Sequence, residues 1–155
     1  MKIIHITDTH ICAPGQTIYG LNPNRRLETV IADVALRHAD ADLVVLTGDL
    51  TDRGDPESYE MLAMLVERLP MPVQLMLGNH DQRANFLARF PVFCNGDGFA
   101  HSYIDASGQI GRLLFLDTHE AGWSGGRLCG ERLAWLEARL AEAGDRPATI
   151  FMHHP

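Results

Sequence analysis

The sequence predicts an α/β fold with a mostly parallel sheet and βαβ units. Apolar segments typical of strands alternate with segments of helical periodicity, and three strands are connected through helices before any hairpin occurs. The segment Leu43–Leu46 is apolar at every position, as expected for a strand covered on both faces. The segment that precedes this strand has its apolar residues at helical spacing on one face, and we expect Asn24 to cap that helix.

Each remaining element has a local signal. Asp55 as a cap and Pro56 at the first helical position predict where the second helix begins. Pro70 and Pro72 predict its end, and Gly144 predicts the end of the last helix. The other predicted elements are strands at 3–6, 73–77, 101–104, 112–116 and 148–152, a short helix at 82–90 and a turn at 105–108.

Composition excludes several classes of protein. The 155 residues contain 13 Lys and Arg against 20 Asp and Glu, which gives a net charge of −7. This acidic balance argues against binding to a nucleic acid polymer, which requires basic clusters. No apolar segment approaches the ~18–20 residues of a membrane span, and no signal peptide is evident. The cysteines Cys12, Cys94 and Cys129 form neither a disulfide framework nor a zinc-type pair, so we expect a cytoplasmic location.

Polar side chains follow four of the predicted strands. In open α/β sheets, ligands bind outside the carboxyl ends of the strands, so these side chains are expected to converge at one edge. They are Asp8 and His10 after the first strand, Asp49 and Asp52 after the second, Asn79, His80 and Asp81 after the third, and His153 and His154 after the last.

Converging carboxylate, amide and imidazole groups favour divalent metals of intermediate hardness. Carboxylates crowded together are costly unless cations neutralise them. One carboxylate that bridges two ions holds them roughly 3.5–4 Å apart, the arrangement used for phosphoryl displacement. The sequence therefore predicts two divalent ions, and the ligand types suit manganese, iron, cobalt or zinc.

These motifs together resemble the calcineurin-like metallophosphoesterases over the whole chain. Asp81 in place of Glu, the Tyr19-Gly20 pair and the segment 149–155 resemble the branch of bacterial cyclic-nucleotide and glycerophosphodiester phosphodiesterases. The motifs that carry the resemblance are Asp8-x-His10, Gly48-Asp49-x-x-Asp52-x-Gly54, Gly78-Asn79-His80-Asp81 and His153-His154-Pro155.

The resemblance implies a role for each residue. Asp8 and His10 would hold the first metal, and Asp49 would bridge both ions. Asn79 and His153 would hold the second metal. His80 would contact the phosphate and protonate the leaving oxygen, while Asp52 would support the site without binding metal. A hydroxide shared by the two ions would attack phosphorus, so Asp49 and His80 are the expected catalytic residues.

The resemblance also implies that part of the family's domain lies outside this sequence. The family carries a further Gly-His-x-His motif in its C-terminal half, with one imidazole for each metal. Residues 1–155 are thus expected to be a metallophosphoesterase domain without that half, a portion of an α/β/β/α sandwich. Because the helices are expected to cover only one sheet face, we expect a homo-oligomer or the missing half to cover the other.

The predicted activity is hydrolysis of small phosphodiesters, either cyclic nucleotides or glycerophosphodiesters. Two alternatives stay open from the sequence. The same metal core could serve a phosphomonoesterase, or the chain could be a non-catalytic truncated module that binds metal poorly. No membrane partner and no nucleic acid partner are expected.

Overall fold

The computed structural model describes residues 1–107 and 110–155. Its strands and helices follow the predicted order. They are β1 (Ile3–Ile6), α1 (Pro23–Arg37), β2 (Leu43–Leu46), α2 (Pro56–Val66), β3 (Val73–Leu75), α3 (Arg83–Arg89), a 3-10 turn (Pro91–Phe93), β4 (Ser102–Asp105), β5 (Arg112–Phe115), α4 (Gly130–Ala143) and β6 (Ala148–Phe151). The turn predicted at 105–108 extends into residues that lie outside the described part of the chain.

The strands form two three-stranded sheets. The prediction of a mostly parallel sheet is confirmed, since three of the four strand pairs among the described residues are parallel. The first sheet has the order β1-β2-β3 and is parallel throughout. In the second sheet β4 and β5 are antiparallel, and β5 and β6 are parallel. Both βαβ units place their helices on the same side of the first sheet, since residues of α1 and α2 pack in one cluster, as expected for two crossovers of the same hand.

Two of the helix caps show how local sequence sets the helix ends. Asp55 caps α2 as predicted, since its side chain accepts a hydrogen bond from the backbone of Ser58. The prediction that Asn24 caps α1 is wrong, because Asn22 occupies that position. Pro23 follows Asn22 and lacks a backbone donor, so it fits the first helical position. The Asn24 amide instead binds both backbone groups of Cys12.

Side-chain alternation along β2 divides the core into two layers. Val44 and Leu46 face a cluster that includes Leu27 and Ile31 of α1, together with residues of α2 and α3. Leu43, Val45 and Met76 face the other way and pack against Leu113 and Phe115 of β5. The second sheet of this chain therefore packs on the face of the first sheet that we expected to lie bare. The strands β1 and β6 are partly or largely exposed, and the expectation that a homo-oligomer or a further half of the domain covers the sheets stays a prediction.

The helix α4 packs on the outer face of the second sheet at β4 and β5, and so forms a fourth layer beside the two sheets and the layer of helices α1 to α3. The guanidinium of Arg112 on β5 donates to the carbonyl of Arg139 at 2.7 Å and lies 4.2 Å from the centre of the Tyr103 ring. Trp135 of α4 stacks on His101 with ring centres 4.2 Å apart. The described residues thus contain the α/β/β/α layers. None of their helices has both the length and the hydropathy that crossing a bilayer requires.

Candidate metal centre

The loops that follow β1 and β2 lie side by side at the carboxyl edge of the first sheet. The backbone of Asp8 donates to the carbonyl of Gly48 at 3.2 Å, and that of His10 donates to Asp49 at 2.9 Å. A bridge between Ile11 and Thr51 continues this pairing beyond the strands. Because the pairing fixes one loop on the other, the side chains of Asp8, His10 and Asp49 converge.

Asp49 lies at the centre of the site, and its side chain is only 7% exposed. The Nε2 atom of His10 is 3.7 Å from one carboxylate oxygen, and the Nε2 atom of His153 is 3.6 Å from the other. The backbone N–H of His80 donates to the same carboxylate at 2.9 Å. Two imidazoles therefore approach Asp49 from opposite oxygens, which is the geometry expected of a bridging carboxylate.

Three of the predicted ligands have a left-handed backbone. The φ angles are 55° at Asp8, 45° at His10 and 47° at Asp49. Residues other than glycine enter this region at a cost of roughly 1–3 kcal/mol each, and such strain clusters at functional sites. The conformation turns each side chain out of the strand direction and toward the neighbouring loops.

Two glycines allow the loops to approach closely. A Cβ atom on Gly78 would overlap the backbone nitrogen and side chain of Asp49 and would lie 2.8 Å from Nε2 of His153. A Cβ atom on Gly48 would lie 2.7 Å from Nδ1 of His153. The motif glycines thus leave the space that the Asp49 carboxylate and the His153 ring occupy.

Backbone carbonyls orient two of the imidazoles. Nδ1 of His153 lies 2.9 Å from the carbonyl oxygen of Thr47, and Nδ1 of His80 lies 2.9 Å from that of Asp52. Since a carbonyl only accepts, each Nδ1 carries a proton, and in the neutral ring the lone pair lies on Nε2. In His153 that Nε2 faces Asp49. Asp52 itself lies 3.7 Å from Nδ1 of His10.

The donor atoms fit divalent ions. Among the described residues, one group with ligand atoms within 4.8 Å of each other contains His10, Asp49 and His80, and a second contains Asp8, Asp49 and His153. Asp49 is common to both groups, as a bridging role requires. The grouping differs from the family resemblance in two ways. Asp8 and His10, which the resemblance assigns to one metal, fall in different groups, and His80, which the resemblance assigns to the phosphate, belongs to one of them. The metal-ligand and catalytic roles of these residues stay predictions.

Asn79 lies between Gly78 and His80 in the sequence, and Gly78 lies close to Asp49 and His153. It is half-buried and lines a cavity of about 640 Å³ together with His80 and His119. A second cavity of about 340 Å³ adjoins Asp8 and His10 and has Tyr19 on its wall. The predicted site therefore has open space on two sides.

A buried ion pair shapes the larger cavity. The carboxylate of Asp117 is fully buried and takes two hydrogen bonds from the Arg83 guanidinium, at 2.7 and 3.0 Å. Arg132 donates to the carbonyls of Asp117 and His119, at 2.9 Å each. These contacts tie the loop after β5 to α3 and α4.

Burial lowers the pKa of His119, and the nearby Arg83 lowers it further. Its side chain belongs to neither ligand group.

Sequence reasoning missed several contributors to the site. The carbonyl of Thr47, which contacts His153, cannot be predicted from a pattern of side chains, although Thr47 directly precedes the Gly48-Asp49 motif. The contact of Tyr59 with Asp81 joins a helix to a loop, and its signal in the sequence is only a tyrosine in the apolar stripe of α2. Burial raises the pKa of Asp81, and hydrogen bonds from backbone groups act in the opposite direction.

Comparison with known proteins decides the family. The model of the calcineurin-like phosphoesterases matches residues 1–155. The chain belongs to the calcineurin-like phosphoesterase family. The resemblance drawn from the four motifs is thereby confirmed, and the α/β/β/α layers agree with it.

Curated relatives refine this assignment within the calcineurin-like phosphoesterases. A probable cyclic nucleotide phosphodiesterase of Rhodopseudomonas palustris is 42% identical over 159 residues. The glycerophosphodiester phosphodiesterase GpdQ of Enterobacter lignolyticus is 35% identical over 158 residues. In both cases the match covers 100% of this chain and 57% of the relative. The 3',5'-cyclic adenosine monophosphate phosphodiesterase CpdA of Escherichia coli is 29% identical and is covered to 55%. The chain thus spans a little over half the length of these relatives.

Proposed function

We propose that this protein hydrolyses small phosphodiesters at a centre of two divalent metal ions. The observation that carries the proposal is the position of Asp49, whose carboxylate belongs to both groups of potential ligands. The names of the relatives, which are cyclic nucleotide and glycerophosphodiester phosphodiesterases, support the diester class. Manganese, iron, cobalt and zinc all suit this donor set, and we propose manganese as the first ion to test.

In this proposal Asp8 and His10 hold one ion, Asn79 and His153 hold the other, and Asp49 bridges them. Metal-binding histidines are held in place by a partner on the second ring nitrogen. Thr47 supplies that partner for His153, and the carboxylate of Asp52 lies beside His10. Ions bound here would lower the pKa of a shared water toward about 7 and take up charge on the phosphoryl oxygens.

His80 acts on the substrate rather than on the metal in this proposal. Its Nδ1 donates to the Asp52 carbonyl, so the ring is fixed and Nε2 is left for the phosphate. The ring is 42% exposed, whereas His153 is 11% exposed. When Nε2 also carries a proton, an exposed ring at the edge of the site can reach a leaving oxygen and donate that proton to it. Protonation by His80 would stabilise the departing alkoxide.

The two cavities support a diester rather than a monoester. A phosphodiester carries two alcohol groups, and open space adjoins the site both at Asp8 and His10 and at Asn79 and His80. A monoester would need room for only one alcohol group. Because the chain has a net charge of −7, a small substrate fits better than a polyanion. With three free cysteines, we also propose a cytoplasmic location.

The experiment compares two variants of this chain, Asp49→Ala and His80→Ala. Manganese content is measured by elemental analysis, and hydrolysis of bis(p-nitrophenyl) phosphate is measured with manganese present. We expect Asp49→Ala to lose metal and activity together. We expect His80→Ala to retain metal and lose roughly 10²–10⁴-fold in kcat, the usual contribution of a general acid.

The control variant is His38→Ala. His38 follows the C-terminus of α1, and its ring contacts Lys2, whose backbone lies next to the start of β1. It therefore lies at the sheet edge opposite the site and should affect neither metal nor rate. Full metal and full rate in both site variants would contradict the assigned roles. Faster hydrolysis of p-nitrophenyl phosphate than of the diester would favour a phosphomonoesterase. Metal binding without hydrolysis of either ester would favour a non-catalytic module.

A further inference from the structure

Asp81 is a buried carboxylate at the junction of the loops after β2 and β3, which carry the predicted metal ligands Asp49 and Asn79. It is 2% exposed, and it accepts five hydrogen bonds. The donors are the backbone N–H groups of Leu50 (3.0 Å), Thr51 (3.1 Å) and Gly78 (2.9 Å) and the hydroxyls of Thr51 (3.2 Å) and Tyr59 (3.0 Å).

These donors come from three separate segments. Leu50 directly follows Asp49 in the loop after β2, Gly78 directly precedes Asn79 in the loop after β3, and Tyr59 is in α2. The Asp81 carboxylate therefore connects the backbone on either side of the proposed ligands. Tyr59 also accepts a hydrogen bond from the backbone of Gln82 at 2.9 Å, which fixes the end of the second loop.

No ion pair to Asp81 occurs among residues 1–107 and 110–155. A buried carboxylate without a cation stabilises a fold less than an apolar side chain of similar size would. Packing stability alone thus gives no reason for an acid at this place. The geometry of its donors does, since every one of them belongs to a ligand loop or supports one.

The backbone that Asp81 holds is strained. Gly48 has φ 111° and Asp49 has φ 47°, and a strained conformation persists only where the surroundings determine it fully. The backbone N–H groups of the next two residues, Leu50 and Thr51, both donate hydrogen bonds to the Asp81 carboxylate. Release of those two groups would free the chain on one side of Asp49.

We propose that Asp81 is a positioning residue that sets the distance between Asp49 and Asn79 and so determines metal affinity. The proposal rests on the proposed metal centre. Asp81 has no role in the chemistry itself. It acts through the backbone of Leu50, Thr51 and Gly78.

The test compares the variants Asp81→Asn and Asp81→Glu in this chain. Asparagine keeps the size of the side chain but presents an NH₂ group to the N–H donors, whereas glutamate keeps both acceptor oxygens. Manganese affinity is measured by calorimetric titration well below the melting temperature. We expect Asp81→Asn to bind at least ~10-fold more weakly, which is the usual effect of removing a group that orients ligands. We expect Asp81→Glu to recover most of the affinity.

The control is Ile31→Ala, which removes packing from the helical layer, where Ile31 is 1% exposed. A residue with a merely structural role lowers the melting temperature without a specific effect on metal. If Asp81→Asn binds manganese as tightly as the unaltered chain, the proposal is overturned. It is equally overturned if Ile31→Ala weakens binding to the same extent.

A second measurement needs no metal. Amide hydrogen exchange of Leu50, Thr51 and Gly78 is followed in the metal-free chain. We expect these three amides to be protected in the unaltered chain and to lose protection in Asp81→Asn but not in Ile31→Ala. Unchanged protection overturns the proposal. If the unaltered chain binds no manganese, the proposed metal centre is rejected. The exchange measurement still tests whether Asp81 holds the backbone of Leu50, Thr51 and Gly78.

The variant Tyr59→Phe covers the case in which Asp81→Asn does not fold. It removes one of the five donors to Asp81 and the acceptor for Gln82, and keeps the buried ring. We expect manganese binding about 3-fold weaker and faster exchange at Gly78. Affinity and exchange equal to those of the unaltered chain would reject the positioning role.

Discussion

The substitution Gly78→Ala tests whether the geometry around Asp49 is needed for metal binding. The new methyl group would overlap the backbone nitrogen and side chain of Asp49 and would lie 2.8 Å from Nε2 of His153. Ordinary contact begins at 3.4 Å, so the ring nitrogen must move by at least 0.6 Å. Ligand distances in metal sites are fixed to within about 0.2 Å, and the displacement exceeds this tolerance.

We expect Gly78→Ala to bind manganese at least ~100-fold more weakly, a loss of about 3 kcal/mol. Two proposed ligands are displaced at once, Asp49 and His153, and neither can return without moving the loop after β3. Because the φ angle of Gly78 is not positive, alanine adds steric overlap without backbone strain at that position. The assay is titration calorimetry with manganese, and circular dichroism checks that the helices remain.

Gly130→Ala is the matched control. Gly130 is the first residue of α4, its φ angle is also not positive, and a Cβ atom there meets nothing within 4 Å. We expect this variant to bind manganese normally and to be slightly more stable, since alanine is a better helix former than glycine. Equal manganese affinity in Gly78→Ala and Gly130→Ala would refute the reasoning.

Two further predictions concern stability. Arg83→Ala leaves the fully buried carboxylate of Asp117 without its main cation and should lower the free energy of unfolding by about 3–5 kcal/mol in urea. The exposed pair of Arg37 with Asp33 should contribute no more than about 0.5 kcal/mol, and an equal loss in Arg37→Ala would contradict this. Burial lowers the pKa of His101 and of His119. Their folded pKa values lie below the unfolded value of about 6.5, so their contribution to stability is complete above that pH and is lost as the pH falls through the folded values. Urea unfolding between pH 7 and pH 5 should show this decline, with a smaller slope in His101→Gln; equal slopes would argue against it.

Much of the first sheet could be predicted because its signals are local. The apolar segment of β2 and the Asp55-Pro56 pair depend only on neighbouring residues, and both predictions are confirmed. Asn24 was mistaken for a cap because two asparagines flank Pro23. The proline decides between them, since its missing N–H belongs at the first helical position.

The division into two sheets could not be predicted from the same patterns. The unbroken apolar residues of β5 indicate that both of its faces are covered, but they do not show which strands pair with it. Pairing between distant strands depends on the packing of whole layers. The α/β/β/α arrangement was expected only from the family resemblance. The site was more predictable, because the carboxyl ends of parallel strands meet at one edge whatever covers their faces.

The backbone contacts at the site were beyond prediction for a different reason. Thr47 and Asp52 act through their carbonyl oxygens, which every residue possesses. The hydrogen bond from Tyr59 to Asp81 joins residues 22 positions apart and depends on the angle at which α2 packs on the sheet. Side-chain types indicate which chemistry is present. The groups that orient the side chains become visible only in three dimensions.

The left-handed backbone at Asp8, His10 and Asp49 has a consequence for engineering. Asparagine tolerates this conformation better than most other side chains, so Asp49→Asn keeps the loop shape while removing the charge. Alanine at the same place removes the charge and disfavours the turn. The difference between the two variants therefore separates the electrostatic contribution of the carboxylate from the contribution of chain geometry. Transfer of the Asp-x-His motif to another scaffold would require a donor backbone that already turns in this way.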